Sequence, residues 1–406
     1  MEPQLNPYNP GSGVPPRFLA GREAEIRAFD LLVARTELSM PARPMVLSGL
    51  RGVGKTVLLN RLKGIADHHG WLTVKLEGRP GEGGARDIRR ALARELQVAS
   101  RRYVSQVGAA PVKRLLGTVT SFSTTIGIDG ISLGVDVDPA RASTGHMDID
   151  LQDVVEDVGQ ALRALRKGFA VFIDEMQDVD DELLAALVTV QHHAVQNELP
   201  FFVTGAGLPN LPARLADARS YAERLFDYRQ IGKLDPDQAA ESLTVPADQM
   251  GQSYTDEALA AVLAASGRYP YFIQEFGSAM WEVATTSPFT GGEADEAVRI
   301  GRQRLDAGFF PSRWDRATPR ERDYMNAMAA DGEGPSTTGA IAARLGKKVT
   351  SLGPTRAQLI AKGLIYPPEY GQVAFTVPGM AGFIERQHQE LKSSSDPNPS
   401  VGEASS

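Results

Sequence analysis

Four short apolar runs mark the first half of the chain: PMVLSG from Pro44, LTVKLEG from Leu72, FAVFIDE from Phe169 and PFFVTGAG from Pro200. Each ends at a glycine or a carboxylate. Between them, stretches such as GREAEIRAFDLLVARTE and GKTVLLNRLKGIADHHG repeat apolar residues at steps of three and four. That period places the apolar positions on one face of a helix, whereas short runs bounded by turn residues fit buried strands. The alternation predicts an α/β domain with a parallel sheet closed by right-handed crossovers. DYRQIGKL, from Asp227, is a candidate fifth strand.

One segment interrupts the alternation. Leu115 to Ala140 has period-two character around Asp129-Gly130, a pair that favours a tight hairpin turn, and predicts a β-hairpin inserted in the core. After Lys233 the pattern becomes helical to about Ala307, in DEALAAVLAASG and YPYFIQEFGSAMWEVATT. A further unit opens at Thr318-Pro319-Arg320-Glu321, with cap, first-turn proline and capping-box glutamate in order. Its first helix carries Tyr324, Met325 and Met328, and its second Ile341, Ala342 and Leu345. The third starts near Ser351, carries Leu352, Leu359 and Ile360, and stops at Gly363. LIYPPEYGQVAFTVP then makes a hairpin with its tip at Pro367–Gly371. That order is a winged helix-turn-helix. The expected layout is an irregular arm over 1–16, a core over 17–232 with the insertion at 115–140, a helical lid over 233–309, a winged helix over 310–386 and a disordered tail over 387–406.

Composition narrows the chemistry. The 406 residues contain 43 basic and 50 acidic side chains and no cysteine, which excludes disulfides, thiolate catalysis and cysteine-held metals. The six histidines have no metal-ligand spacing and read as surface residues. No apolar run approaches the roughly twenty residues of a membrane helix, and MEPQLNPYNPGSGVPP lacks a signal-peptide pattern. The expectation is a soluble cytoplasmic protein without membrane contact. Yet Gly334–Pro368 has no acid and contains Arg344, Lys347, Lys348, Arg356 and Lys362. From Arg313 to Arg386 ten basic residues face seven acidic ones, against a net charge of -7 for the chain. Lys347, Lys348 and Arg356 fall at or on the third helix and are the candidate DNA contacts. A protein-docking surface is the alternative.

The strongest chemical signal is GLRGVGKT: Gly49, Leu50, Arg51, Gly52, Val53, Gly54, Lys55 and Thr56. It follows a strand and opens a helix, the setting in which G-x-x-x-x-G-K-[ST] cradles phosphates. The glycines let successive N–H groups face an anion, and the helix start adds its positive dipole end. Lys55 brings a charge to the β- and γ-phosphates, and Thr56 offers a hydroxyl to Mg²⁺. AVFIDEMQD supplies the partner motif: Asp174 to hold Mg²⁺ and Glu175 to polarise the attacking water. Gln177 and Asp178 read as facing solvent or a partner. Thr204, on the strand expected between the two motifs, is a candidate sensor of the γ-phosphate. Arg224, before the last strand, is a candidate finger for a neighbour's site, and Arg268 a candidate phosphate contact from the lid. For each of these three an ordinary structural role is the alternative.

Together RFLAGREAEIRAF, GLRGVGKT, AVFIDEMQD, FFVTGAGLP and GRYPYF resemble the AAA+ ATPases of the origin-recognition-like branch and the related archaeal-type and STAND ATPases, over about residues 15 to 385. The resemblance implies a P-loop core with helical lid and winged helix, with ATP and Mg²⁺ as cofactors. It makes Phe18, Leu19, Gly21 and Arg22 candidate adenine contacts, Thr204 the first sensor and Arg268 a second-sensor candidate. The implied activity is slow ATP hydrolysis driving a conformational switch. The implied partners are ATP and ADP, double-stranded DNA, and further copies of the chain or another protein. A STAND-like signalling switch that docks protein is the alternative.

Overall fold

The computed structural model describes residues 1–107, 113–126 and 142–395. The four apolar runs and the candidate fifth strand are all strands: β1 (Met45–Ser48), β2 (Leu72–Glu77), β3 (Phe169–Asp174), β4 (Phe201–Gly207) and β5 (Asp227–Gln230). They form a parallel sheet in the order β2-β3-β4-β1-β5. β1, β3 and β4 are buried along their whole length, while β2, at the sheet edge, alternates. Strands covered on both faces need apolar residues at every position, which is why these three read as continuous runs. On one face Leu47, Ala170, Phe172, Phe202 and Ala206 pack with Phe29 of α1 (Glu23–Glu37) and Leu58, Leu59 and Leu62 of α2 (Lys55–His68). On the other, Val46, Val74, Val171, Ile173 and Val203 join α5 (Met147–Ala164) and α6 (Asp181–Gln196). Parallel pairing brings every strand's carboxyl end to one edge of the sheet. Strand order reverses beside β1, and a crevice opens at such a point.

The segment between β2 and α5 departs from expectation. α3 (Gly81–Val107) is followed by α4 (Lys113–Thr125), so the hairpin reading fails over 115–125. Leu116, Val119 and Phe122 are buried at helical spacing, and period three prevails over the apparent period two. The β-branched and hydroxyl residues that suggested strand are accommodated by back-bonding. Thr120, Ser123, Thr124 and Thr125 donate to the carbonyls of Leu116, Val119, Thr120 and Ser121. Thr118 donates to the buried Asp157 of α5. The Asp129-Gly130 turn lies outside the described residues.

The chain divides into two compact units between Arg299 and Ile300. The first also contains α7 (Leu211–Ala218), α8 (Ala222–Leu225) and the helices α9 (Pro236–Asp248), α10 (Asp256–Ser266) and α11 (Pro270–Val283). Its opening arm is irregular apart from one 3-10 turn at Pro3–Leu5, but it is docked. Tyr8 is buried, and its hydroxyl donates to the carbonyl of Leu243.

α12 (Gly291–Arg304) runs through the division. The second unit holds α13 (Pro311–Trp314), α14 (Pro319–Ala329), β6 (Ser336–Thr337), α15 (Thr338–Arg344), α16 (Val349–Ala361), β7 (Ile365–Tyr366), β8 (Gln372–Phe375) and α17 (Met380–Ser395). Tyr324, Met325, Ile341, Leu352, Leu359 and Phe383 are buried in it. The capping box at Thr318 and Glu321 forms as expected. A third short strand joins the hairpin, giving an antiparallel sheet in the order β6-β8-β7. α17 corrects the tail: residues 387–395 are helical, not disordered. Its first turns are held by buried Met380, Ala381, Phe383 and Ile384 and by the paired Arg386 and Asp306, and the polar residues beyond extend that helix. The tail from 396 lies outside the described residues.

Candidate nucleotide-binding site

β1 delivers the chain to the loop Gly49–Thr56, and α2 begins inside the motif at Lys55. Gly52 and Gly54 have φ of 82° and 89°, the left-handed conformation that turns the loop back on itself. Val53 pins the loop to the core. Lys55 is buried, and its Nζ donates to the carbonyls of Gly49 at 2.9 Å and Leu50 at 2.8 Å. Its pKa is brought down to about 8, chiefly by burial, with Glu175 and Asp174 opposing the fall and Arg51 adding to it. The lysine is thus folded into its own loop, desolvated and matched only by neutral carbonyls, a setting that favours an incoming anion. Thr56 is half-buried one position on.

β3 ends at Asp174, which is buried and lies on the same sheet face as Phe172 and Ala170, the face covered by α2. Glu175 follows with φ 45°. Its carboxylate pairs with Arg51 at 2.7 Å and accepts from Gln177 Nε2 at 2.6 Å. Thr56 and Asp174 carry hard oxygens of the kind Mg²⁺ takes, and that ion commonly completes its shell with substrate phosphates and water. Among the described residues no group of three or more His, Asp or Glu could hold a metal unaided.

The other candidates differ in placement. Thr204 is in register with Phe172, one same-face position short of Asp174, fully buried and with no partner for Oγ1. Arg22 is buried, donating to the carbonyls of Gly21, Val53 and Gly232 at 2.9, 3.0 and 2.8 Å. It ties the phosphate loop to the exit of β5. Gly21 and Arg22 line a polar cleft of about 400 Å³ with Gln230, Gly232, Lys233, Asp235 and Gln238; Phe18 and Leu19 are half-buried and outside that lining. The N–H of Tyr271 donates to the carbonyl of Gly52 at 3.1 Å, so α11 docks on the loop. Arg268, two residues before that helix, is half-buried at φ 64°. Arg224 lies exposed on α8.

In the second unit, Lys347 and Lys348 are exposed, and Lys348 is the N-cap of α16. Arg356 is half-buried with its Nε unpartnered and acts electrostatically on Tyr324. Two more basic residues of the acid-free stretch are engaged within the unit: Arg344 by Asp331, and Lys362 by Glu321 at 2.6 Å.

Sequence reading missed the part played by Gln177. It is not solvent-facing; it is buried and bonded to Glu175, to Asp178 at 3.0 Å and, through Oε1, to the N–H of Leu208 at 2.9 Å. Asp178 is half-buried, and burial followed by the Glu175 charge raises its pKa, against Arg51. Only closeness in sequence to Glu175 pointed to either. Three of the histidines expected at the surface are half-buried as well: His69 lies 3.1 Å from Glu37, His192 stacks on Tyr221, and His193 lies 2.9 Å from Glu156. Among the described residues no helix is long and apolar enough to cross a membrane.

Comparison with known proteins agrees with this geometry. The family described as AAA ATPase domain matches residues 19–203, and a domain of unknown function matches residues 307–384. A Walker-type ATPase of Pyrococcus abyssi is similar at a TM-score of 0.54 and 17% identity, over 90% of this chain and 96% of that one. The RuvB Holliday junction branch migration motor of Thermotoga maritima is similar at 0.44 and 14%, over 94% and 99%. The ORC1 protein of Aeropyrum pernix, in complex with DNA, is similar at 0.41 and 16%, over 93% and 95%. The shared fold rests on the first of these. No curated protein matches the chain in sequence. The domain match and the fold support an AAA+ P-loop ATPase core.

Proposed function

We propose that the chain is an AAA+ ATPase that binds Mg-ATP at the Gly49–Thr56 loop, hydrolyses it slowly and uses the nucleotide state as a conformational switch. One observation carries the reading. A glycine-turned loop with a buried lysine ends β1, and a carboxylate pair ends β3 two strands away, on the edge where the sheet order reverses. The roles follow from chemistry. Backbone N–H groups of the loop and Lys55 bind phosphate oxygens; Thr56 and Asp174 hold the metal, which neutralises phosphate charge when bound. Glu175 accepts a proton from the attacking water. Thr204, Arg224 and Arg268 are assigned as first sensor, finger and second sensor, and Phe18, Leu19, Gly21 and Arg22 as the adenine side.

The test is nucleotide binding followed by phosphate release. Lys55→Ala abolishes binding, whereas Glu175→Gln keeps it and lowers turnover by about 100-fold or more. Wild-type protein that neither binds Mg-ATP nor releases phosphate refutes the reading.

For the second unit we read α14 to β8 as a winged helix that meets DNA through Lys347 and Lys348, with Arg356 behind them. A specific observation favours the rival, a protein-docking winged helix on a STAND-like switch. With Arg344 and Lys362 engaged in internal ion pairs and Arg356 half-buried, the acid-free stretch offers a backbone only the two exposed lysines, few for tight binding. Duplex binding that weakens with salt and falls on the double substitution Lys347→Ala, Lys348→Ala supports DNA; its absence favours docking.

A further inference from the structure

The turn after Asp174 is organised around one carboxylate. Glu175 occupies a left-handed backbone conformation that a residue other than glycine holds only under constraint from its surroundings. The constraint is visible. A Cβ on Gly78 would stand 2.2 Å from the Glu175 carbonyl oxygen, so only glycine lets the exit of β2 close on this turn. Both carboxylate oxygens are then occupied. Arg51 Nη1 donates to Oε1 at 2.7 Å and Gln177 Nε2 to Oε2 at 2.6 Å.

The two donors differ in freedom. Gln177 is buried and anchored at its far end, where Oε1 accepts from the N–H of Leu208 at 2.9 Å. A Cβ on Gly207 would lie 2.6 Å from that Oε1, so the exit of β4 is shaped to admit this side chain. Gln177 therefore fixes Glu175 relative to the strand lying between the two motif strands. Arg51 has a quarter of its side chain exposed and belongs to the phosphate-cradling loop. A triphosphate in that loop offers Arg51 more negative charge than one carboxylate does. Arg51 takes up one lone pair of Oε1 and holds the carboxylate turned toward itself, so its release frees Glu175 to turn to a water.

We propose that Gln177 is the positioning residue that aims Glu175, and that Arg51 is a counter-arm holding Glu175 at rest and releasing it when a nucleoside triphosphate fills the loop. The proposal rests on Glu175 being the carboxylate that aligns the water.

The test uses the full chain. Melting temperatures are compared for wild type, Arg51→Met, Glu175→Ala and the double variant, without nucleotide and with saturating Mg-ATPγS. Without nucleotide, the double variant loses about 2 °C less than the sum of the single losses, because the pair is one interaction. With Mg-ATPγS the losses become additive. Additivity in both conditions overturns the resting pair, and equal coupling in both overturns the release. A wild-type melting temperature that Mg-ATPγS does not move sinks the nucleotide-binding reading itself. For Gln177, kcat falls about tenfold in Gln177→Leu with KM unchanged, and Gln177→Glu, which cannot donate, does not restore it. Unchanged kcat in either variant overturns the positioning role. A wild type that binds Mg-ATP without turnover removes the hydrolysis reading and this role with it.

Discussion

Gln191 offers a sharp test of how the sheet is held. It sits on α6, fully buried; its Nε2 donates to the Phe201 carbonyl at 3.0 Å and its Oε1 accepts from the Val203 N–H at 2.8 Å. Pairing of β4 with β1 begins only at Val46 opposite Gly205, so the amino half of β4 extends beyond its neighbour. The Gln191 amide completes the ladder there, donating to one residue and accepting from the next but one, as a strand residue opposite Phe202 would. In Gln191→Leu a buried carbonyl and a buried N–H lose their partners. At about 1–3 kcal/mol for each unsatisfied group, less some gain from the added apolar burial, the loss is about 3 kcal/mol. For a unit of about 300 residues that lowers the melting temperature by roughly 5 °C. Circular dichroism melting measures it, read on the transition that Mg-ATP raises, which belongs to the unit carrying the loop. Gln191→Glu, which loses the donor and brings charge into the core, is at least as damaging. A Gln191→Leu protein melting within about 2 °C of wild type would show that the amide does not complete the ladder.

Arg22→Met removes three charge-assisted bonds, two of which join the Gly49–Thr56 loop to the exit of β5. It costs about 2–3 kcal/mol in denaturant unfolding and raises the Kd for Mg-ATP; unchanged values in both refute the joint. Asp331 has its pKa held below the usual range, chiefly by the Arg344 hydrogen bond. A depressed folded-state value means stabilisation present above the unfolded carboxylate pKa and lost as pH falls through the folded one. Asp331→Asn should therefore destabilise the second unit at neutral pH and match wild type in acid; a gap that persists in acid refutes the coupling.

The inner strands β1, β3 and β4 were legible because strands covered on both faces must be apolar at every position; the edge strands showed less plainly, β2 by alternation and β5 only as a candidate. The placement of the Gly49–Thr56 loop and of the Asp174–Glu175 pair at strand ends was legible for a different reason. Their chemistry fixes residue type at short spacing, independent of the rest of the fold. α4 was misread because Ser and Thr carry two opposing tendencies. Their propensity disfavours helix interiors, while their hydroxyls can return a hydrogen bond to the preceding turn. Burial of Leu116, Val119 and Phe122 decided between them, and that burial depends on α5, about thirty residues away. The tail was misread from composition, which carries no information about the Phe383 and Ile384 anchor upstream of it.

What the pattern hides most consistently is the buried polar side chain that serves a backbone. Arg22, Gln177 and Gln191 sit in stretches where a polar residue ordinarily faces water, and each is bonded to main-chain groups distant in sequence, as far as Gly232 for Arg22. Neither period nor propensity separates such a residue from a solvated one, because the difference lies in a partner supplied by tertiary structure. Arg22 and Gln177 sit at the carboxyl edge, at the exits of β5 and β4, and Gln191 serves the amino half of β4; at both edges parallel strands stop at different lengths and leave unpaired N–H and carbonyl groups. A site at the carboxyl edge of a parallel sheet needs those ends to be uneven, so that a loop and a carboxylate reach past their neighbours. Unevenness exposes backbone, and buried amides and guanidinium groups satisfy it. The supporting residues of this site are thus a consequence of the edge that creates it, and Gln177 differs from Gln191 chiefly in having a carboxylate at its other hand.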